Sequence, residues 1–129
     1  MVGIISKDDT AWLAFPYSSS FEAYSSSYAE GVLVRKQNHI VNITGVITPT
    51  AGISGSGDYT QIISSVLPSG YEPISSVRVL SGAGGSGLWL CSIETDGTVN
   101  FSRYRTSSSY ATCSAGAQLF LNVMYMTAN

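Results

Sequence analysis

Nucleophilic catalysis needs a serine or cysteine beside a base, and His39 is the only histidine in 129 residues. It falls at Asn38-His39, between two apolar runs, where it reads as a hairpin-turn residue. The acids Asp8, Asp9, Glu22, Glu30, Asp58, Glu72, Glu94 and Asp96 lie mostly in turns or near the termini. No two of them share a strand face, as a hydrolytic carboxylate pair requires. Two cysteines and one histidine fall short of the three or four ligands of a metal site. The expectation is a protein that is not an enzyme, with no catalytic residue, metal or cofactor. Binding chemistry is better represented. Arg103-Tyr104-Arg105 runs off a strand-like segment into a Ser-rich loop holding Tyr110, and Asp58-Tyr59 ends another loop. Tyrosine rings stack on the C–H faces of a saccharide, while Arg and Asp hydrogen-bond its hydroxyls. Asp58, Tyr59, Tyr104, Arg105 and Tyr110 are therefore the candidate ligand-binding residues. The same residues could instead pack as strand ends against a neighbouring subunit.

Only 11% of the residues are charged, against roughly a quarter in ordinary soluble domains. Serine and glycine stand in their place. Such a surface suits an extracellular or virion surface, or a chain buried in an oligomer. A net charge of −2 argues against nucleic acid or an anionic membrane as partner, since both call for basic patches. No apolar run approaches the ~20 residues of a membrane helix. Met1 to Lys7 is too short for a signal peptide and has no basic residues before its apolar stretch. Cys91 and Cys113 are either a disulfide pair or two buried apolar thiols. The Gly-rich stretch Ser81 to Gly87 lacks the lysine and following helix of a phosphate loop, and reads as a hairpin tip.

The elements that must position these residues all have strand character. Thr10 to Tyr17 reads as a first strand, with Trp12 anchoring its inner face and Pro16 either confining it to an edge or ending it. Ser18 to Glu30 reads as a loop with short extended pieces, pinned by Phe21 and Tyr24. Val32 to Gln37 and Ile40 to Thr48 form a hairpin, with Val41, Ile43, Gly45 and Ile47 on one face at period two. Pro49 to Asp58 is a connector. Thr60 to Leu67 and Ile74 to Leu80 flank a corner, Leu67-Pro68-Ser69-Gly70-Tyr71-Glu72-Pro73. Its prolines cannot donate to a sheet, and Gly70 takes positive φ easily. This corner is expected to carry the chain between sheets, locked by Tyr71. Leu88 to Glu94 and Thr98 to Tyr104 join at Thr95-Asp96-Gly97. Thr106 to Gly116 is a loop, and Leu119 to Met126 is a last strand with Leu119, Leu121, Val123 and Tyr125 on one face. The pattern predicts a single all-β domain: an antiparallel β-sandwich or jelly-roll-like barrel of about eight strands.

With the strands placed, most of the chain resembles a known family. The matching residues are Trp12, Arg35-Lys36, Val41 to Gly45, Leu67 to Pro73, Ile93 to Val99 and Leu119 to Tyr125. In order and spacing they are similar to the C-terminal head domains of phage tail fibres and baseplate receptor-binding proteins from phages of Gram-positive hosts. The resemblance implies a homotrimeric β head at the tip of a virion tail, the C-terminal part of a longer chain. It would bind bacterial cell-surface polysaccharide and assemble with other phage tail proteins. It transfers no ligand-contacting position. Two other functions fit such a head: a trimerisation cap or baseplate connector without ligand, and a polysaccharide-degrading tail hydrolase.

Overall fold

A computed structural model describes residues 11–24, 31–55, 60–64 and 67–128. Among these residues, nine antiparallel strands form one curled sheet, a half-barrel whose concave side holds the core. They are β1 (Leu13–Ala14), β2 (Phe21–Ala23), β3 (Leu33–Gln37), β4 (Ile40–Pro49) and β5 (Thr60–Ser64), then β6 (Val77–Ala83), β7 (Gly87–Ile93), β8 (Val99–Arg105) and β9 (Leu119–Met126). The order across the sheet is β1-β3-β4-β9-β6-β7-β8-β5, with β2 added beside the end of β4. The all-β antiparallel architecture is as the sequence predicts.

The β3–β4 hairpin turns at Asn38 and His39, whose φ values of 52° and 65° give the left-handed two-residue turn that matches strand twist. β9 alternates without a break: Leu119, Leu121, Val123 and Tyr125 are buried and the residues between them are exposed. β9 joins the two halves of the sheet. It pairs with β4 over eight residues, from Ile40↔Met126 to Ile47↔Leu119. On its other side it meets β6 only at Ala83↔Leu119, and the segment before β6 at Pro73↔Thr127. This narrow seam lets the halves curl toward each other. Aromatic rings fill the space between them: Phe101 of β8 stacks on Trp89 of β7 at 5.4 Å and meets Phe21 of β2 at 5.7 Å.

The far edges of the half-barrel are tied by a loop. Ser18 donates its N–H to the Ile63 carbonyl of β5 (2.7 Å) and its hydroxyl to that of Ile62. Tyr17 accepts the Val32 N–H at 2.8 Å, and partial burial raises its pKa.

The corner, Leu67 to Pro73, does not join two sheets. It runs within one sheet, from β5 past β8 and β7 to β6. Tyr71 is buried, and the lock acts through its backbone: Tyr125 donates its hydroxyl to the Tyr71 carbonyl at 2.6 Å. Gly70 N–H is held by the Glu72 carboxylate and Tyr71 N–H by the Pro68 carbonyl. Tyr125→Phe leaves that buried carbonyl without its donor. A loss of about 1–2 kcal/mol in urea unfolding is expected, with no change in the shape of the folded state.

Three other expectations change. Trp12 is 42% exposed, outside the core, with the Arg35 guanidinium 5.7 Å over its ring; only Leu13 and Ala14 pair with β3, so the first strand is too short to carry it inward. β6 continues through Ala83, leaving Gly84–Ser86 as the tip. Gly45 breaks the two-residue period of β4, after which Val46, Ile47, Thr48 and Pro49 are all buried. Phe21 is buried as expected, and Tyr24 is tied to β4 by its N–H to Val46.

Cys91 and Cys113 are both buried free thiols. Burial pushes Cys91 up to about 12 and Cys113 up to about 11, so neither forms thiolate near neutral pH. Iodoacetamide at pH 8 should leave both unmodified in the native protein and alkylate both in guanidinium, read by intact mass.

Candidate functional site

The turns and loops sort to two ends of the half-barrel. At one end lie the β3–β4 turn, the Leu67 to Pro73 corner, the β7–β8 turn and the end of β9. They are cross-linked by Thr127 N–H to the His39 carbonyl, Ile74 N–H to the Met126 carbonyl, and the packing of Gly97 near Leu67 and Glu72. At the other end lie the connector after β4, the Gly84–Ser86 tip and the long segment 106–118. There Ile53 and Cys113 exchange two backbone hydrogen bonds, at 2.8 and 2.9 Å, and Gly84 N–H reaches the Gln118 carbonyl. The proline-braced end is cross-linked by backbone hydrogen bonds. The other end carries the Ser/Thr-rich loops.

Of the five sequence candidates, Asp58 and Tyr59 lie outside the described residues. The remaining three fall together at the loop end, in different roles. Arg105 and Tyr110 form an antiparallel bridge, and Ala111 N–H returns to the Tyr104 carbonyl at 3.0 Å. This closes a small loop over Thr106, Ser107, Ser108 and Ser109, all exposed, with Tyr110 45% exposed beside them. Tyr104 turns the other way. Its ring stacks on Phe101 at 6.3 Å, and burial raises its pKa. It supports the loop from beneath, so Tyr104→Ala should lower stability, which separates it from Arg105 and Tyr110.

A β-bulge in β8 divides these roles. Leu90 pairs with Ser102 and Leu88 with Arg105, so Arg103 and Tyr104 together face the single residue Trp89. Arg103 takes the extra position with φ 56°, a left-handed conformation that costs a non-glycine residue. With strict alternation, Phe101 inside would bring Arg103 and Arg105 inside as well. The bulge shifts the parity: Tyr104 joins Phe101 in the core, Arg103 is exposed and Arg105 lies beside Leu88 on the outer side. Sequence reasoning missed Arg103. The signal was present in Val99-Asn100-Phe101-Ser102-Arg103-Tyr104-Arg105, where two arginines occupy the parity of a core aromatic.

At the same end, Ser20, Thr50, Ala51, Gly52, Ile53 and Gln61 line an open cleft of about 230 Å³, whose Ile53 is hydrogen-bonded to Cys113 in the segment that follows this loop. Its polar groups are hydroxyls, an amide and backbone. Gln61 donates to the Ser20 hydroxyl, and Thr50 donates its hydroxyl to the Ser19 carbonyl at 3.1 Å. Among the described residues, no charged side chain lines it. Sequence reasoning missed this cleft too, because its walls come from segments about 40 residues apart. Together, loop and cleft offer an exposed tyrosine, two guanidinium groups and a set of neutral hydrogen-bonding groups.

His39 sits in the β3–β4 turn at the opposite end, its carbonyl accepting from Thr127. Among the described residues, no three His, Cys, Asp or Glu side chains converge as a metal site would need. Comparisons with protein-family models, with curated proteins and with solved structures each gave no match.

Proposed function

We propose that this domain is a phage tail receptor-binding head that attaches the virion to bacterial surface saccharide without chemical turnover. The observation that carries the reading is the arrangement at the loop end. An exposed Tyr110 and a half-buried Arg105, held by the Arg105–Tyr110 bridge, share the loop end with a cleft of uncharged hydrogen-bonding groups. Hydroxyl-rich ligands are recognised by this combination of ring stacking and polar contacts. Few contacts per site mean weak binding, which several copies raise by roughly 10² to 10⁴ in avidity.

A homotrimer supplies such copies and gives the outer sheet face a role. Phe120, Met124 and Met126 of β9, Leu80 of β6 and Leu88 of β7 are exposed on that face. Phe120 lies against Gly82, which bridges the β9 and β6 parts of the patch. Apolar faces of this kind bury well between subunits. The same face favours a second reading, a trimerisation cap or baseplate connector with no ligand.

The test has two arms. Light scattering at micromolar concentration should give a trimer, and a monomer removes the multivalent part of the reading. Fluorescently labelled protein should decorate intact bacterial cells of a susceptible host, with Tyr110→Ala lowering binding roughly tenfold at unchanged melting temperature. A trimer that decorates no cells favours the cap. Release of new reducing ends from cell-wall polysaccharide would instead indicate a hydrolase.

A further inference from the structure

From the geometry around the β8 bulge we infer that the loop-end site selects an anionic saccharide, one bearing a carboxylate or phosphate, through Arg103 and Arg105. The inference rests on the saccharide-binding reading and names its substrate class. Of the six cationic side chains, Lys7 lies outside the described residues. Arg78 is neutralised by a two-point pair with Glu94, at 3.0 and 3.1 Å. Arg35 stacks over Trp12, and Lys36 is buried. Arg103 and Arg105 remain, and among the described residues neither has an ion-pair partner. In a chain of net charge −2, both of these guanidinium groups therefore flank one bulge, at the base of the loop that also presents Tyr110.

The backbone adds an independent argument. Arg103 holds φ 56°, where glycine would sit without strain, and its side chain is exposed and fills no core space. Packing does not account for an arginine at that position. Strained non-glycine residues concentrate where a side chain must be aimed, and bulges re-aim side chains at binding sites. Guanidinium groups are suited to carboxylate and phosphate because their fork of donors matches two oxygens at once. Tyr110 then takes the sugar ring, and Thr106, Ser107, Ser108 and Ser109 offer hydroxyls around it.

Isothermal titration of the full domain with galacturonate tetramer, glucose 6-phosphate and maltotetraose tests this directly. At least one acidic probe is expected to bind roughly tenfold more tightly than neutral maltotetraose, with the preference shrinking in high salt. The uronate and phosphate arms tell which anion is taken. Arg105→Gln should abolish the preference and Arg105→Lys should keep part of it. Arg103→Gly is the decisive variant: it should raise the melting temperature by relieving the left-handed strain while lowering acidic-probe affinity severalfold. A purely structural Arg103 would give the stability gain with affinity unchanged, and that overturns the assignment. Equal binding of acidic and neutral probes also overturns it, while leaving the saccharide reading in place. No binding of any probe up to millimolar concentration overturns the anion site; whether the saccharide reading falls with it is decided separately by cell decoration.

Discussion

Phe101→Ala is expected to cost about 3–5 kcal/mol and to leave the domain largely unfolded at 37 °C. Phe101 is almost fully buried and touches three other rings: Trp89 at 5.4 Å, Phe21 at 5.7 Å and Tyr104 at 6.3 Å. Phe21 comes from β2 and the other two from β7 and β8, so this one ring joins the two halves of the curled sheet. Removing it opens a cavity that the surrounding strands cannot close, because hydrogen-bonded ladders hold them at fixed spacing. It also leaves Tyr104 without its support, so the Arg105–Tyr110 loop should loosen before the core melts. Chemical denaturation with far-UV circular dichroism reads the first effect. Amide hydrogen exchange at Ala111 reads the second. A loss below about 1 kcal/mol would mean that the aromatic cluster is not what holds the halves together.

Gly45→Ala should be comparably damaging for a different reason. A Cβ built on Gly45 would sit 2.5 Å from the Gly31 carbonyl oxygen and 2.6 Å from Val32 Cα, with φ at 151°. Both clashing atoms are backbone, so relief requires the chain entering β3 to move away from β4. That movement strips the Leu33↔Thr44 end of the hairpin and exposes Val32 and Val34, both buried. A destabilisation of about 3 kcal/mol or more is expected, with increased proteolysis near residue 31. An alanine variant within about 0.5 kcal/mol of the parent would show that β3 tolerates the shift.

Local chemistry made several elements legible in the sequence. The Asn38-His39 turn, the β7–β8 turn at Thr95-Asp96-Gly97 and the alternation of β9 each follow from residue types a few positions apart. Tyr71 is buried as its place in the corner suggested. The misread features depend on distant partners. Trp12 looked like a core anchor because it is large, but its strand pairs over two residues and leaves it outside. The corner looked like a passage between sheets, since nothing local tells that β9 joins both halves into one. The candidate site divides in the same way. Arg105 and Tyr110 were readable as polar and aromatic groups flanking a Ser-rich loop. The inward turn of Tyr104 and the outward turn of Arg103 follow from a bulge that only the pairing with β7 defines.

The edges of the half-barrel have a further consequence. β1 has two residues and β2 three, while β5 is irregular between Ile62 and Ser64 and has its Ile62 and Ile63 carbonyls taken by Ser18. Among the described residues, no long run of open backbone donors and acceptors is offered along these borders. Two copies that met border to border would therefore find little open backbone on which to zip into fibrils. A protein with so few charges has little electrostatic repulsion to keep its copies apart, and short, occupied borders supply that protection instead.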